Sequence, residues 1–336
     1  MAEDIKPVGG KNYIDGEWVD SVSGELIESR NPADVNQLLG TFPRSEEEDA
    51  QRAVGATVKA GGEWRDLSRI KRGEFFDNFA QIVKGEQEEL SRLVTMECGK
   101  GINEGRADVI EGIHMVQYVF GSSRMPSGHV VSSEIAEKES YMKRHPKGNV
   151  AAISPWNFPF AIPLWLLGPS LVEGNTAVFK PSEDTPLISH KLAEYFHRAG
   201  FPPGVVNVIH GYGEEAGSPL VVHPDIDVVL FTGSYSVGSR IRQLCSNHYN
   251  KMAVCEMGGK NAIIVLDDAD MDIALNAAVL SAYKTTGQRC VSAGRLIVHE
   301  KLVEEFTERF QSMSRRVVIG DPLREDVFMG PLINEQ

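Results

Sequence analysis

Four cysteines, Cys98, Cys245, Cys255 and Cys290, stand in this chain of 336 residues without short paired spacing. That pattern fits neither a disulfide framework nor a zinc knuckle. Any cysteine chemistry therefore comes from one thiol acting alone, and the ordinary role for each is a small buried apolar residue. The nine histidines include no His-x-x-x-His pair beside an acid, so no metal site is expected. Asn157 lies in Pro155-Trp-Asn-Phe-Pro159 just past an apolar strand, where an asparagine commonly bonds its own backbone in a turn. Glu256 follows the apolar run Met252-Ala-Val-Cys255, the place of a surface acid at a strand end. Lys180 and Glu183 follow a β-run ending at Phe179, at the carboxyl edge of a sheet. Open α/β sheets bind ligands at that edge, although two charges there also form solvated ion pairs. Gly211-Tyr-Gly213 with Gly217, and Gly233-Ser234 with Gly238, follow two further β-runs. Both suit tight turns or phosphate contacts, and the first is one residue too long for the usual dinucleotide fingerprint. No Gly-Lys-Ser/Thr follows, which excludes a nucleoside-triphosphate P-loop.

The elements that must position these groups alternate. Apolar β-runs at 150–153, 176–179, 205–209 and 228–231 are separated by helical patterns near 187–199 and 237–244. That rhythm predicts right-handed βαβ units around an open parallel sheet, from about Asn149 to Glu256, with flanking helices. Ahead of it the first third reads as largely helical: Ser45-Glu-Glu-Glu48 as a capping box opening an Ala-rich helix, and one longer amphipathic pattern over about 66–94. Short β-like runs between turn residues over 126–146 predict a protruding hairpin arm, about 125–147. After Gly258 come a strand over 261–266, an acidic turn, a helix to about Thr285, a strand near 296–299 and a helix from Val303 to about Arg315. The expected division is 1–257 and 258–336, the second an α/β unit at the short end for a domain.

Length agrees, since 336 residues correspond to about two domains of ~150. A net charge of −13 argues against polyanion-binding surfaces, and so against nucleic acid as a partner. The most apolar stretch, 158–172, is interrupted by Pro159, Pro163, Gly168 and Pro169 and is too short for a membrane span. The opening Met-Ala-Glu-Asp-Ile-Lys has no signal core and no transit character, so a cytoplasmic location is expected.

Taken together, Pro155-Trp-Asn-Phe-Pro159, Lys180-Pro-Ser-Glu183, Gly200-Phe-Pro-Pro-Gly204, Phe231-Thr-Gly-Ser234, Glu256-Met-Gly-Gly-Lys260 and Gly287-Gln-Arg-Cys290 resemble the NAD(P)-dependent aldehyde dehydrogenase superfamily. The likeness runs from Tyr13-Ile-Asp-Gly-Glu-Trp18 to Gly330-Pro-Leu-Ile-Asn334. It implies that Cys290 is the nucleophile, attacking an aldehyde carbonyl to give a thiohemiacetal that expels hydride and becomes a thioester. By the same likeness Asn157 donates its amide to the developing oxyanion, and Glu256 is the base for the deacylating water. The cofactor set it implies is Ile153, Pro155, Trp156, Lys180, Ser182, Glu183, Gly233 and Ser234. Lys180 and Glu183 would hold the adenosine ribose, and a carboxylate at Glu183 repels a 2′-phosphate, favouring NAD over NADP. The 287–290, 261–264 and 124–128 stretches look like the branch that oxidises amino-acid-derived semialdehydes.

The superfamily's Glu-x-Phe-Gly-Pro motif, whose glutamate holds the nicotinamide ribose, is absent from this sequence. The expectation is an N-terminal part of a longer enzyme, a homo-oligomer (dimer or tetramer) when full length, and aggregation-prone with little turnover as 336 residues. Two other readings stay open: a non-catalytic or truncated relative that retains cofactor binding, and a CoA-acylating dehydrogenase, against which Glu256 counts.

Overall fold

The computed structural model describes residues 6–335; residues 1–5, most of the stretch read for a leader, and Gln336 lie outside the described residues. The opening is β, where the sequence pattern suggested mostly helix: β1 Val8–Gly9, β2 Asn12–Ile14, β3 Glu17–Val19, β4 Leu26–Asn31 and β5 Asp34–Pro43. Helices follow as α1 Glu47–Asp66, α2 Arg69–Gly85, α3 Gln87–Cys98 and α4 Ile102–Ser122. The amphipathic pattern over 66–94 is therefore two helices, broken at Glu86, whose φ of −119° and ψ of 15° leave the helical well. Ser45 does not cap α1. Its hydroxyl is buried and accepts from Asn12 Nδ2 at 2.8 Å, while Asp49 takes the Glu46 N–H at 3.2 Å.

The predicted arm is an antiparallel hairpin, β6 Gly128–Val131 on β7 Ser140–Lys143. Beyond it run β8 Asn149–Ile153, α5 Ala161–Val172, β9 Thr176–Lys180, α6 Pro186–Arg198, β10 Val206–Val208, a π-helical turn Gly213–Gly217, α7 Ser218–Val222, β11 Val228–Gly233, α8 Tyr235–Cys245 and β12 Met252–Met257. The main sheet has seven strands in the order β12-β11-β8-β9-β10-β2-β3. The first five are parallel, as the alternating pattern predicts, and β2 and β3 add an antiparallel edge. Every residue of β9 is buried, the consequence of helices covering both faces of a parallel sheet. The remaining elements are β13 Asn261–Val265, α9 Met271–Tyr283, a 3₁₀ turn Lys284–Gly287, β14 Ala293–Val298 and α10 Val303–Ser314. β14 starts earlier than the strand expected near 296–299 and pairs parallel with β13. Among the described residues no helix is long and apolar enough to cross a membrane.

α4 is the helix that ties this frame together. A Cβ on Gly105 would lie 2.6 Å from the Ser91 carbonyl of α3, and one on Gly112 would lie 2.5 Å from the Phe160 ring. Only glycine admits these approaches, so α4 nests against both α3 and the loop that leads into α5. α6 is fixed differently: the fully buried Glu97 carboxylate of α3 accepts the Leu187 and Ile188 N–H groups at 2.7 and 2.9 Å. These are free donors of the first helical turn, which an acidic group satisfies.

His210, at the end of β10, is 1% exposed and packs between Phe42 and His190. Burial, with the Lys180 and His190 charges adding to it, pushes its pKa down to about 3. The unfolded imidazole takes its proton near pH 6.5 and the folded one does not, so folding loses stability as pH falls from 6.5 towards 3, by up to about 1.4 kcal/mol per pH unit for one proton. Urea midpoints of the chain between pH 7 and 4 should fall less steeply in His210→Gln than in the unmodified protein. Parallel slopes would show that this imidazole is not the acid-sensitive group.

Candidate active site

β8, β11 and β12 run parallel and end on the same side, so the segments leaving their carboxyl ends converge. They form a cleft of about 350 Å³ lined by residues 155–157, 232–234 and 257–259, and the segment 287–290 closes it. Asn157 and Cys290, 133 positions apart in the sequence, thus line one cavity. The Asn157 amide donates to the Gln288 carbonyl at 2.9 Å, and its Oδ1 is buried without a partner among the described residues. The Nδ2 carries a second hydrogen for another acceptor.

Cys290 is exposed, whereas Cys98 and Cys245 are buried and Cys255 is half-buried. Burial raises the thiol pKa of all three others. A thiolate nucleophile therefore finds its accessible site at Cys290. Thr285 and Thr286 precede it with φ of 53° and 56°, and Gly287 follows with φ of 73°. Left-handed backbone costs a β-branched residue about 1–2 kcal/mol. Such a turn persists only where surrounding bonds hold it. An exposed thiol beside a side-chain amide donor can add to a carbonyl carbon while the oxygen takes a hydrogen bond.

Lys180 and Glu183 form an ion pair at the carboxyl edge of the sheet, but it is not a fully solvated one. Lys180 is the last residue of β9 and 2% exposed, its Nζ 2.9 Å from Glu183 Oε2. Burial lowers its pKa against the pull of Glu183 and Asp184. Glu183 keeps an accessible carboxylate. Ser182 accepts the Asp184 N–H at 3.3 Å in the loop between them. Gly233 closes β11 and Ser234 caps α8, its hydroxyl accepting from Val237 N at 3.3 Å, which leaves other N–H groups of the first turn of α8 without an intrahelical partner. Ile153 lies outside the cleft, in a smaller cavity of about 140 Å³ between Gly213, Gly217, Val237, Ile241 and Leu244. Glu256 stands inside β12 rather than after it, and is exposed; its neighbour Met257 lines the cleft and Glu256 does not.

The charges that hold the cleft were not singled out from the sequence. Lys100 and Asp108 form an ion pair at 3.0 Å, exposed 1% and 0%. Asp108 Oδ1 also accepts the Ala161 N–H at 2.9 Å, and the Lys100 ammonium lies 4.2 Å from the Phe158 ring centroid. Cys98 Sγ donates to the Trp156 carbonyl at 3.3 Å. Together they fix the 155–160 loop from α3 and α4. The signal for Asp108 was its place among the inward-turned apolar positions of α4, beside Val109, while Lys100 lies in the turn between α3 and α4, where no stripe marks it.

A family-wide sequence model described as the aldehyde dehydrogenase family matches residues 18–336. The chain is 40% identical over 324 residues to the α-ketoglutaric semialdehyde dehydrogenase of Bacillus subtilis (strain 168), covering 96% of this chain and 66% of that protein. It is 37% identical to the D-glyceraldehyde dehydrogenase (NADP(+)) of Thermoplasma acidophilum, covering 97% of this chain and 65% of the relative. The crystal structure of Staphylococcus aureus betaine aldehyde dehydrogenase in complex with NAD+ superposes with a TM-score of 0.94 at 32% identity, over 98% of this chain and 65% of that one. The chain spans about two thirds of the length of these relatives. With the family's sequence signature running through both its α/β units and its backbone following theirs, this chain belongs to the aldehyde dehydrogenase family.

Proposed function

We propose that this chain carries the oxidation of an aldehyde to a carboxylic acid with NAD, through a covalent intermediate on Cys290. The observation that carries the reading is the meeting of the Asn157 amide and the one exposed cysteine at a single cleft. The Cys290 thiolate adds to the aldehyde carbon, and the carbonyl electron pair becomes an oxyanion beside the Asn157 amide. One such donor contributes about 3 kcal/mol to a developing oxyanion. Loss of hydride converts the thiohemiacetal to a thioester, and water then releases the acid and returns the thiol. Glu256, exposed within β12 beside the cleft-lining Met257, is the proposed acceptor of that water's proton.

The residues present fit a dinucleotide. The cavity beside Ile153 is walled by Val237, Ile241 and Leu244 and takes a flat apolar ring, while the α8 N-terminus capped by Ser234 offers N–H groups to phosphate. Pro155, Trp156 and Gly233 border the cleft between that helix and Cys290. Lys180, Ser182 and Glu183 stand at the same sheet edge for ribose hydroxyls. When bound, NAD supplies the hydride acceptor. The B. subtilis relative supports a semialdehyde as substrate. The exposed Val130 and Tyr141 of the β6–β7 arm support a homo-oligomer formed through it.

In a full-length version of this protein Cys290→Ser should abolish NADH formation while NAD affinity, read by calorimetry, changes less than twofold, because a neutral hydroxyl without a strong base is a far weaker nucleophile than a thiolate. Turnover surviving in that variant would remove the covalent mechanism. Glu256→Gln should slow deacylation and leave a burst of NADH.

NAD should bind more tightly than NADP, and Glu183→Gln should narrow the gap by about 1–2 kcal/mol, as removal of a partly exposed charge from near a 2′-phosphate does. Equal affinities for the two cofactors in the unmodified protein would contradict the role given to Glu183.

A further inference from the structure

Glu104 lies in the first turn of α4, 7% exposed, and has no part in the chemistry proposed above. Its carboxylate reaches across to the segment that precedes Cys290. Oε2 accepts the Thr285 N–H at 2.8 Å and Oε1 accepts the Thr285 hydroxyl at 2.7 Å. Thr285 is itself 2% exposed, so water does not replace these bonds when they break. Thr285 opens the left-handed run 285–287, which no β-branched residue adopts unaided. The rest of that run is held by the Thr286 hydroxyl on the Gly330 carbonyl at 3.1 Å and by Gln288 Nε2 on the Thr285 carbonyl at 3.2 Å. Among the described residues Glu104 supplies its only bonds to a buried side chain of the helical frame.

The same helix carries Asp108, one turn later, which holds the Asn157 loop through the Ala161 N–H. Two carboxylates at i and i+4 lie on one face of a helix. One face of α4 therefore grips both sides of the cleft: Asp108 the loop with the amide donor, Glu104 the loop with the thiol. We propose that Glu104 is a positioning residue for Cys290, a two-pronged clamp that fixes the nucleophile segment in register with Asn157. The inference rests on Cys290 being the nucleophile for its consequence in catalysis, but not for the clamp itself. Glutamine at 104 keeps both bonds, since its carbonyl accepts the amide hydrogen and its NH₂ donates to the threonine oxygen. Alanine keeps neither.

The test compares Glu104→Ala, Glu104→Gln and Thr285→Val by amide hydrogen exchange of the peptide covering 284–292, with peptides of β9 and α10 as references. The expected result is exchange at least tenfold faster over 284–292 in Glu104→Ala, at least threefold faster in Thr285→Val, within twofold of the unmodified chain in Glu104→Gln, and unchanged in the reference peptides. Thr285→Val removes only the hydroxyl bond and keeps the side-chain volume, so it decides the matter even if Glu104→Ala does not fold. Unchanged exchange in Thr285→Val or in folded Glu104→Ala overturns the clamp. With aldehyde and NAD, kcat should fall at least tenfold in Glu104→Ala with KM for the aldehyde within threefold, and Glu104→Gln should restore it. An unchanged kcat in a variant whose loop exchanges faster overturns the positioning role. Absence of turnover in the unmodified full-length protein would instead strike the proposed oxidation, leaving the exchange data to judge the clamp.

Discussion

Lys100 and Asp108 are both sealed from solvent, and a charge in that position is tolerated only with a partner. Removing one partner of such a pair typically destabilises by about 3–5 kcal/mol, because the other charge is left buried and alone. The pair is also a junction. Asp108 spends its second oxygen on the Ala161 N–H, and Lys100 sits over Phe158, so the ion pair, the first turn of α5 and the Asn157 loop have one common arrangement. The side of the cleft that carries Asn157 is positioned relative to α4 through these contacts.

The frame is stiff where it meets the chemistry. β8, β11 and β12 run side by side and carry the cleft at their carboxyl ends, the side on which open α/β sheets leave a crevice. The nucleophile segment is the opposite case: a strained left-handed turn, bordered by an exposed thiol, whose conformation depends on bonds supplied from elsewhere in the chain. Arg289 adds to this by lying 5.0 Å from the Phe158 ring, the ring that Lys100 also faces. Two cations on one aromatic ring link the two loops through its π density.

The parallel sheet was legible because its strands are continuous apolar runs, which is how a strand buried on both faces reads. The opening strands were not, since β2 and β3 have three residues each and include Asn12 and Glu17; Asn12 is buried through its bonds to Ser45 and to the His210 N–H, partners far away in sequence. Glu86 broke an amphipathic pattern without a proline to mark the break. In the site, Asn157 and Cys290 were legible from motif and order, and the structure brings them to one cavity. Glu104 and Asp108 were not, because charges on a helix ordinarily read as a solvated face, and Lys100 was not because it lies in the turn between α3 and α4. The place of Lys180 at the sheet edge was legible but its burial was not, since that comes from the layers around β9 and not from its own segment.

The central claim is that Cys290 and Asn157 act on one carbonyl. It is tested most directly by quenching the protein with acid a few milliseconds to seconds after mixing with NAD and an aldehyde, then mapping the acyl group by peptide mass spectrometry. The account predicts an acyl adduct on Cys290, none on Cys98, Cys245 or Cys255, and formation of that adduct slowed about 10²–10³-fold in Asn157→Ala, the effect of deleting one oxyanion donor. NADH formed with no adduct on Cys290, or an adduct that forms equally fast without the Asn157 amide, would contradict it.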